Sequence, residues 1–267
     1  MYSTDGHSWM AAADMQADSL LAVACVVDTF VAVGENGTVL TSPDGSVWTR
    51  REPPNLNDVY WSVAGGEDMV VLAGAELTSA GTQRQMVSLP AGALEGTGVL
   101  PLSQPFKLPG NDASPHTVTV VWSDDSLTWH TVDKGLHEDL AGIAYGNEKF
   151  VAAGRGGLIA VSAEGAVWHR EQVPVSSDLL AVVFVGDTYV VVGASGPVLT
   201  SSDGSRWTQR QTGTRSALFG VAAQSGTILA TGDNGVTLIS PDAIHWSSVP
   251  TTSHELLYGC AAGGERL

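Results

Sequence analysis

Two sets of side chains in this sequence are placed to do chemistry. The first recurs six times in one cassette, in which a serine is followed two residues later by an acid and four residues after that by a tryptophan. The pairs are Asp5 with Trp9, Asp44 with Trp48, Asp125 with Trp129, Glu164 with Trp168, Asp203 with Trp207 and Asp242 with Trp246. The second set stands just ahead of glycines: Glu35-Asn36 before Gly37, Arg155 before Gly156-Gly157, and Asp233-Asn234 before Gly235. Hydrolysis of a glycosidic bond needs two carboxylates facing one another across the substrate. Glu35 and Asp233 supply such a pair if the fold brings them together. Arg155, Asn36 and Asn234 would bind polar groups beside them, and Trp61 would offer a flat aromatic platform.

The recurring acids carry a different meaning. An aspartate can accept backbone N–H bonds within its own turn. The adjoining glycine permits a tight bend, and the tryptophan brings a large apolar surface to pack between units. The pattern drifts, with Glu164 in place of Asp, and Ser126 and Ala243 in place of Gly. A structural turn tolerates such drift, whereas a catalytic aspartate is not expected six times. No residue is assigned a catalytic role. His137-Glu138-Asp139 are three metal-ligand types in a row, but adjacent residues rarely converge on one ion, so they read as loop charge and no metal site is expected. There is no phosphate-cradling loop, no Gly-x-Ser-x-Gly elbow and no His-Glu-x-x-His, and no cofactor is implied.

The elements that position these residues follow from the spacing. The six tryptophans lie 39, 81, 39, 39 and 39 residues apart. The unit from Asp178 to Arg210 holds four short runs rich in Val and Thr and bounded by Gly, Asp and Ser, which are strands. Four strands repeated every ~40 residues define a propeller blade. Naming the strands A (innermost) to D, strand B recurs as Phe30–Gly34, Val70–Gly74, Phe150–Gly154, Tyr189–Gly193 and Ile228–Gly232. Its final glycine is expected to turn the chain through a positive φ. The fold class is all-β, a six-bladed propeller of four-stranded antiparallel blades. Both termini share the closing blade, which falls about nine residues short of a full repeat.

The interval of 81 holds about 41 extra residues, placed at 75–117 and carrying five prolines. This stretch reads as an insertion in a loop of blade 2 within one domain spanning 1–267. The alternative is a seventh, degenerate blade. On strand A, alignment through Asp58, Asp139 and Asp178 groups Trp61 with Ala22, Gly142, Ala181, Gly220 and Gly259. Trp61 is then the one large side chain on an otherwise small-residue wall, either a ligand platform or a filler of space.

The cassettes resemble the Asp-box, or BNR, repeat, here with the glycine directly after the aspartate. With the preceding FVAVG and GTVLTS segments, the chain resembles the WD40/YVTN/BNR-like propellers, which include photosystem II assembly and stability factors and, more distantly, sialidase-type propellers. That resemblance covers nearly all of the chain outside 75–117. It implies that the cassettes lie in the C–D turns, on the face opposite the ligand site. The functional face would then carry the B–C turns with Glu35, Asn36, Arg155, Asp233 and Asn234, and the D–A loops with Arg215, His254 and Glu255. The resemblance implies a non-catalytic scaffold for protein–protein interaction or complex assembly. The alternative is a glycan-binding or glycoside-hydrolysing propeller of the sialidase or xyloglucanase type. Sialidases need an arginine triad; the sequence has no FRIP-like segment, and Arg155 is the one arginine in the short B–C loops.

Composition narrows the partners. The formal net charge is -16 over 267 residues, which disfavours nucleic acid and anionic membrane surfaces. A protein partner, or a glycan, is the expectation. No apolar run is long enough to span a membrane. Cys25 and Cys260 build neither a disulfide framework nor a zinc set, and both are expected to be buried thiols. Localisation stays open: a true start at Met1 points to the cytoplasm, and a piece of a longer product points to a secreted or surface protein.

Overall fold

The computed structural model describes residues 10, 19–26, 28–54, 58–66, 69–76, 117–125, 128–132, 140–252 and 254–260. Short β-branched runs separated by Gly, Asn, Asp and Ser turns form five sheets. The first holds β1 (Leu20–Val26), β2 (Thr29–Gly34), β3 (Val39–Ser42) and β4 (Thr49–Arg51). The second holds β5 (Asp58–Gly65), β6 (Val70–Glu76), β7 (Thr117–Ser123) and β8 (His130–Thr131). The third holds β9 (Leu140–Gly146), β10 (Lys149–Gly154), β11 (Leu158–Ser162) and β12 (His169–Glu171). The fourth holds β13 (Leu179–Val185), β14 (Thr188–Gly193), β15 (Val198–Ser201) and β16 (Thr208–Arg210). The fifth holds β17 (Leu218–Gln224), β18 (Thr227–Gly232), β19 (Thr237–Ser240) and β20 (Ser247–Ser248). Each is an antiparallel meander whose strands lie side by side in chain order. The first strands of successive sheets pack on one another, β1 on β5, β5 on β9, β9 on β13 and β13 on β17, and so form the inner wall.

The core lies between the sheets. Val31, Val33 and Val39 of the first sheet meet Tyr60, Leu72 and Trp129 of the second. Val71 and Val120 of the second meet Leu140, Phe150 and Trp168 of the third. The same arrangement joins the third to the fourth and the fourth to the fifth. Each cassette tryptophan from Trp129 to Trp246 packs toward the sheet before its own. Tyr189 adds a polar tie. Its hydroxyl donates to the Gly146 carbonyl of the third sheet, with the Lys149 carbonyl at 3.0 Å, and burial pushes its pKa up to about 12.

Six blades were expected, and the described residues form five four-stranded sheets. The parts meant to close the sixth, including Asp5 and Trp9, lie outside the described residues. Leu256–Cys260, expected as its strand A, carries no strand assignment but docks beside β17. The Leu257 N–H donates to the Gly232 carbonyl at 3.0 Å, and Gly259 lies against Gly220 as Ala181 lies against Gly142. β6 and β7 pair as far as Glu76 and Thr117, so Ala75, Glu76 and Thr117 are strand residues. Residues 77–116 lie outside the described residues, as do His137, Glu138 and Asp139.

Two expectations are corrected. The glycine ending strand B does not turn the chain, since φ is -166° at Gly154 and -169° at Gly232, ordinary extended backbone. Its role is close approach: a Cβ at Gly34, Gly74, Gly193 or Gly232 would overlap the carbonyl oxygen of Ser19, Val59, Asp178 or Ala217, the residue ahead of the bulge in the neighbouring inner strand. The second correction is Cys25, which is exposed, while Cys260 is half-buried. Cys25 sits at the register of Tyr145, Phe184 and Ala223, which all pack toward the preceding sheet. Among the described residues no sheet covers β1 on that side. Val23 is accordingly 62% exposed, where its register partners Val63 and Ile143 are 8% and 6% exposed.

Gly193→Ala should therefore destabilise by about 1–3 kcal/mol, lowering the thermal midpoint by roughly 2–4 °C per kcal/mol in a chain of this size. A melt followed by circular dichroism checks this, and an unchanged midpoint would contradict the close approach.

Candidate functional site

The cassettes assemble from their own atoms. In the fourth sheet the Asp203 carboxylate accepts the N–H groups of Ser205 and Arg206 at 2.9 and 2.8 Å and the Ser201 hydroxyl at 3.1 Å. The Gly204 N–H donates to Ser201 Oγ at 2.9 Å, and Trp207 Nε1 donates to the Gly204 carbonyl at 2.8 Å. The same bonds recur around Asp44 with Trp48 and around Asp242 with Trp246, and Trp168 closes its turn alike. Asp125 bonds Ser123 and Thr128. These contacts hold the carboxyls low. Backbone N–H groups of Arg206 and Ser205 lead for Asp203, His245 leads for Asp242, and the Ser46 N–H leads for Asp44. The described aspartates of the cassettes thus accept hydrogen bonds from within their own turns.

The opposite face carries the B–C turns. Asn36 and Gly37 have φ of 51° and 61°, and Asn234 and Gly235 have 54° and 70°. Two successive positive values define a type I′ turn, which favours Asn-Gly. The Thr38 and Val236 N–H groups close these turns onto the Glu35 and Asp233 carbonyls at 3.0 Å. The turn glycine also reaches the next inner strand. Gly37 N–H donates to the Asp58 carbonyl at 2.6 Å, and Gly235 N–H to the Glu255 carbonyl at 2.7 Å. In the third sheet it is Gly156 N–H that reaches Asp178 Oδ1, at 2.8 Å. Asn36 and Asn234 are thus accounted for by backbone geometry. Glu35 and Asp233 are half-buried and Arg155 is exposed, all on this face. Among the described residues no group of three His, Cys, Asp or Glu is placed to hold a metal ion.

The inner strands correct the reading of Trp61. Each carries a bulge near its B–C end, skipping Leu21, Trp61, Ala141, Leu180 and Phe219. Trp61 is therefore equivalent to these residues, and Ser62 takes the small-residue place beside Ala22, Gly142, Ala181 and Gly220. The connection into β5 is one residue longer than its counterparts, so counting forward from Trp48 misplaces the wall. Counting back from the strand-B glycine finds it, because Trp61, Leu180 and Phe219 each precede theirs by 13 residues. The Trp61 indole is buried at 8% exposure, packs with Leu21, Val59 and Ala75, and donates from Nε1 to the Leu140 carbonyl at 2.5 Å. It presents no open stacking face and fills the space between three inner strands. Asp58, fully buried, accepts the Tyr60 hydroxyl at 3.0 Å, and burial followed by this carboxylate drives the Tyr60 phenol far up.

The bulged residues form an apolar collar at the axis end of this face. Leu21 packs on Trp61, Trp61 reaches Leu140 beside Ala141, and the Phe219 ring lies 5.3 Å from that of Tyr258. Leu21, Leu180, Phe219 and Tyr258 are only half-buried.

Strand order, inner wall and shared cores define a β-propeller. Solved propellers match this chain at probability 1.00. It is similar to YCF48 bound to D1 peptide, with TM-score 0.54, 14% identity, and 85% of this chain and 65% of that one covered. It is also similar to the GH74 enzyme of Niastella koreensis, with TM-score 0.59, 12% identity and 88% and 31% covered. A third likeness is to the catalytically inactive H270A virginiamycin B lyase of Staphylococcus aureus with quinupristin, with TM-score 0.64, 9% identity and 89% and 71% covered. The chain spans less than two thirds of the first two. No family model matches the chain, and no curated protein does.

Two outcomes follow. Trp61→Ala should cost about 3–5 kcal/mol and lower the thermal midpoint by roughly 10 °C or more, and a melt decides it. The Asp44, Asp203 and Asp242 carboxyls are lowered in the fold and return to about 4 on unfolding. Their stabilisation is full above that value and is lost as pH falls through the folded values. The midpoint should hold between neutrality and about pH 5 and then fall below about pH 4. Asp203→Asn should flatten that fall, and an identical acid profile in the variant would refute the assignment.

Proposed function

We propose that this protein is a non-catalytic propeller scaffold that binds a protein partner on the face carrying the B–C turns. One observation carries the reading. On that face Asn36 and Asn234 serve turn geometry and the blade-to-blade bonds run through Gly37, Gly235 and Gly156 with Asp178, while Leu21, Leu180, Phe219 and Tyr258 are left partly open at the axis. Apolar and aromatic side chains of this kind anchor protein interfaces. In this reading the chain is one propeller domain over 1–267, the cassettes are Asp-boxes, and the expected insertion is the stretch 77–116 between β6 and β7. The likeness to YCF48, itself seen with a peptide, is compatible with this reading but speaks only to the fold.

A glycan-active propeller is the competing reading, and it rests on Glu35, Arg155 and Asp233 sharing a turn position in different blades. Peptide display against the folded protein should enrich binders that Phe219→Ser loses while its thermal midpoint is kept. Release of reducing sugar from β-glucans that is abolished by Glu35→Gln or Asp233→Asn would overturn the scaffold in favour of the enzyme.

A further inference from the structure

We infer that the apolar collar takes a peptide segment of alternating basic and apolar residues from its protein partner. The inference rests on the scaffold reading and adds the partner's chemistry. The apolar half comes from the bulge. A bulged residue has no cross-strand partner, so its side chain can leave the sheet's alternation. Among the described residues Leu180, Phe219 and Tyr258 join none of the cores between sheets. They lie on successive inner elements, β13, β17 and the segment after β20, and the last two rings touch. A large side chain inserted there would remove apolar surface on both partners from water.

The basic half comes from the charges placed around it. Asp178 stands two residues before Leu180, and Glu255 three before Tyr258. Asp233 belongs to the turn whose Gly235 N–H bonds the Glu255 carbonyl. Glu35 holds the same turn position in the first sheet. Arg155 and Arg215, with Arg50 whose Nη2 lies 3.5 Å from the Asn36 carbonyl, are the cations at these turns and approaches among the described residues, and His254 is the titratable base. Carboxylates thus outnumber cations on this face of a chain whose net charge is -16, so a cationic segment is attracted and an acidic one repelled.

Fluorescence anisotropy with short labelled peptides tests this. A peptide alternating Lys with Leu should bind, and peptides alternating Glu with Leu or Lys with Ser should bind at least about tenfold more weakly. Leu180→Ser and Phe219→Ser, checked for an unchanged melt, should weaken the Lys–Leu peptide by a similar factor. Asp233→Asn with Glu255→Gln, checked for an unchanged melt, should weaken it and flatten its salt dependence. Equal binding of the Lys–Ser peptide would reduce the effect to net charge and overturn the inference. If display-selected peptides of another chemistry bind and are lost in Phe219→Ser, the scaffold reading stands and this one falls. If no peptide responds to the collar variants, both fall.

Discussion

The face that each sheet shares with the next is the constraint on which the molecule depends. A four-stranded meander of short strands cannot bury its apolar face alone, and in this chain every core is assembled from residues of two consecutive sheets. That demand explains the smallness of the inner wall. Ala22, Ser62, Gly142, Ala181 and Gly220 stand where inner strands meet, and a Cβ on Gly220 would come within 2.8 Å of Gly259 Cα. It also explains Trp129, Trp168, Trp207 and Trp246, each of which leans back across the gap to the preceding sheet. The same demand is unmet at β1, where Val23 is open to solvent because no described sheet stands ahead of it.

Polar chemistry serves this packing at both ends of the blades. On one face the cassette acids accept N–H groups that the C–D turns would otherwise leave unpaired. On the other, the B–C turns reach the next inner strand through a main-chain N–H, and Asp178 completes one such bond with its side chain. Among the described residues the side chains left partly open at the axis, Leu21, Leu180, Phe219 and Tyr258, are apolar or aromatic.

Much of the fold is legible without coordinates. The Val-rich runs ending in Gly34, Gly154, Gly193 and Gly232 are strands, and the Asn-Gly pairs at 36–37 and 234–235 are turns, because backbone dihedral preferences act locally. The cassettes are legible for the same reason, since nearly all their bonds close within six residues. The site was less legible. Trp61 stood out through an alignment displaced by one residue, and Leu180, Phe219 and Tyr258 passed as ordinary strand residues. Nothing in their identity separates them from the buried Leu179 and Leu218 that precede the first two by one position.

The amino-acid sequence by itself determined the repeating unit, its four strands and the closure of its turns. Those features rest on hydrogen bonds and steric preferences between near neighbours. The tertiary structure alone decided which residue of each inner strand is the bulged one, that the strand-B glycines answer to a neighbouring carbonyl, and which of Val23 and Val63 is buried. Bulge register is set by pairing between strands, and burial is set by the sheet that stands opposite. Neither partner is specified by the segment in which the residue lies.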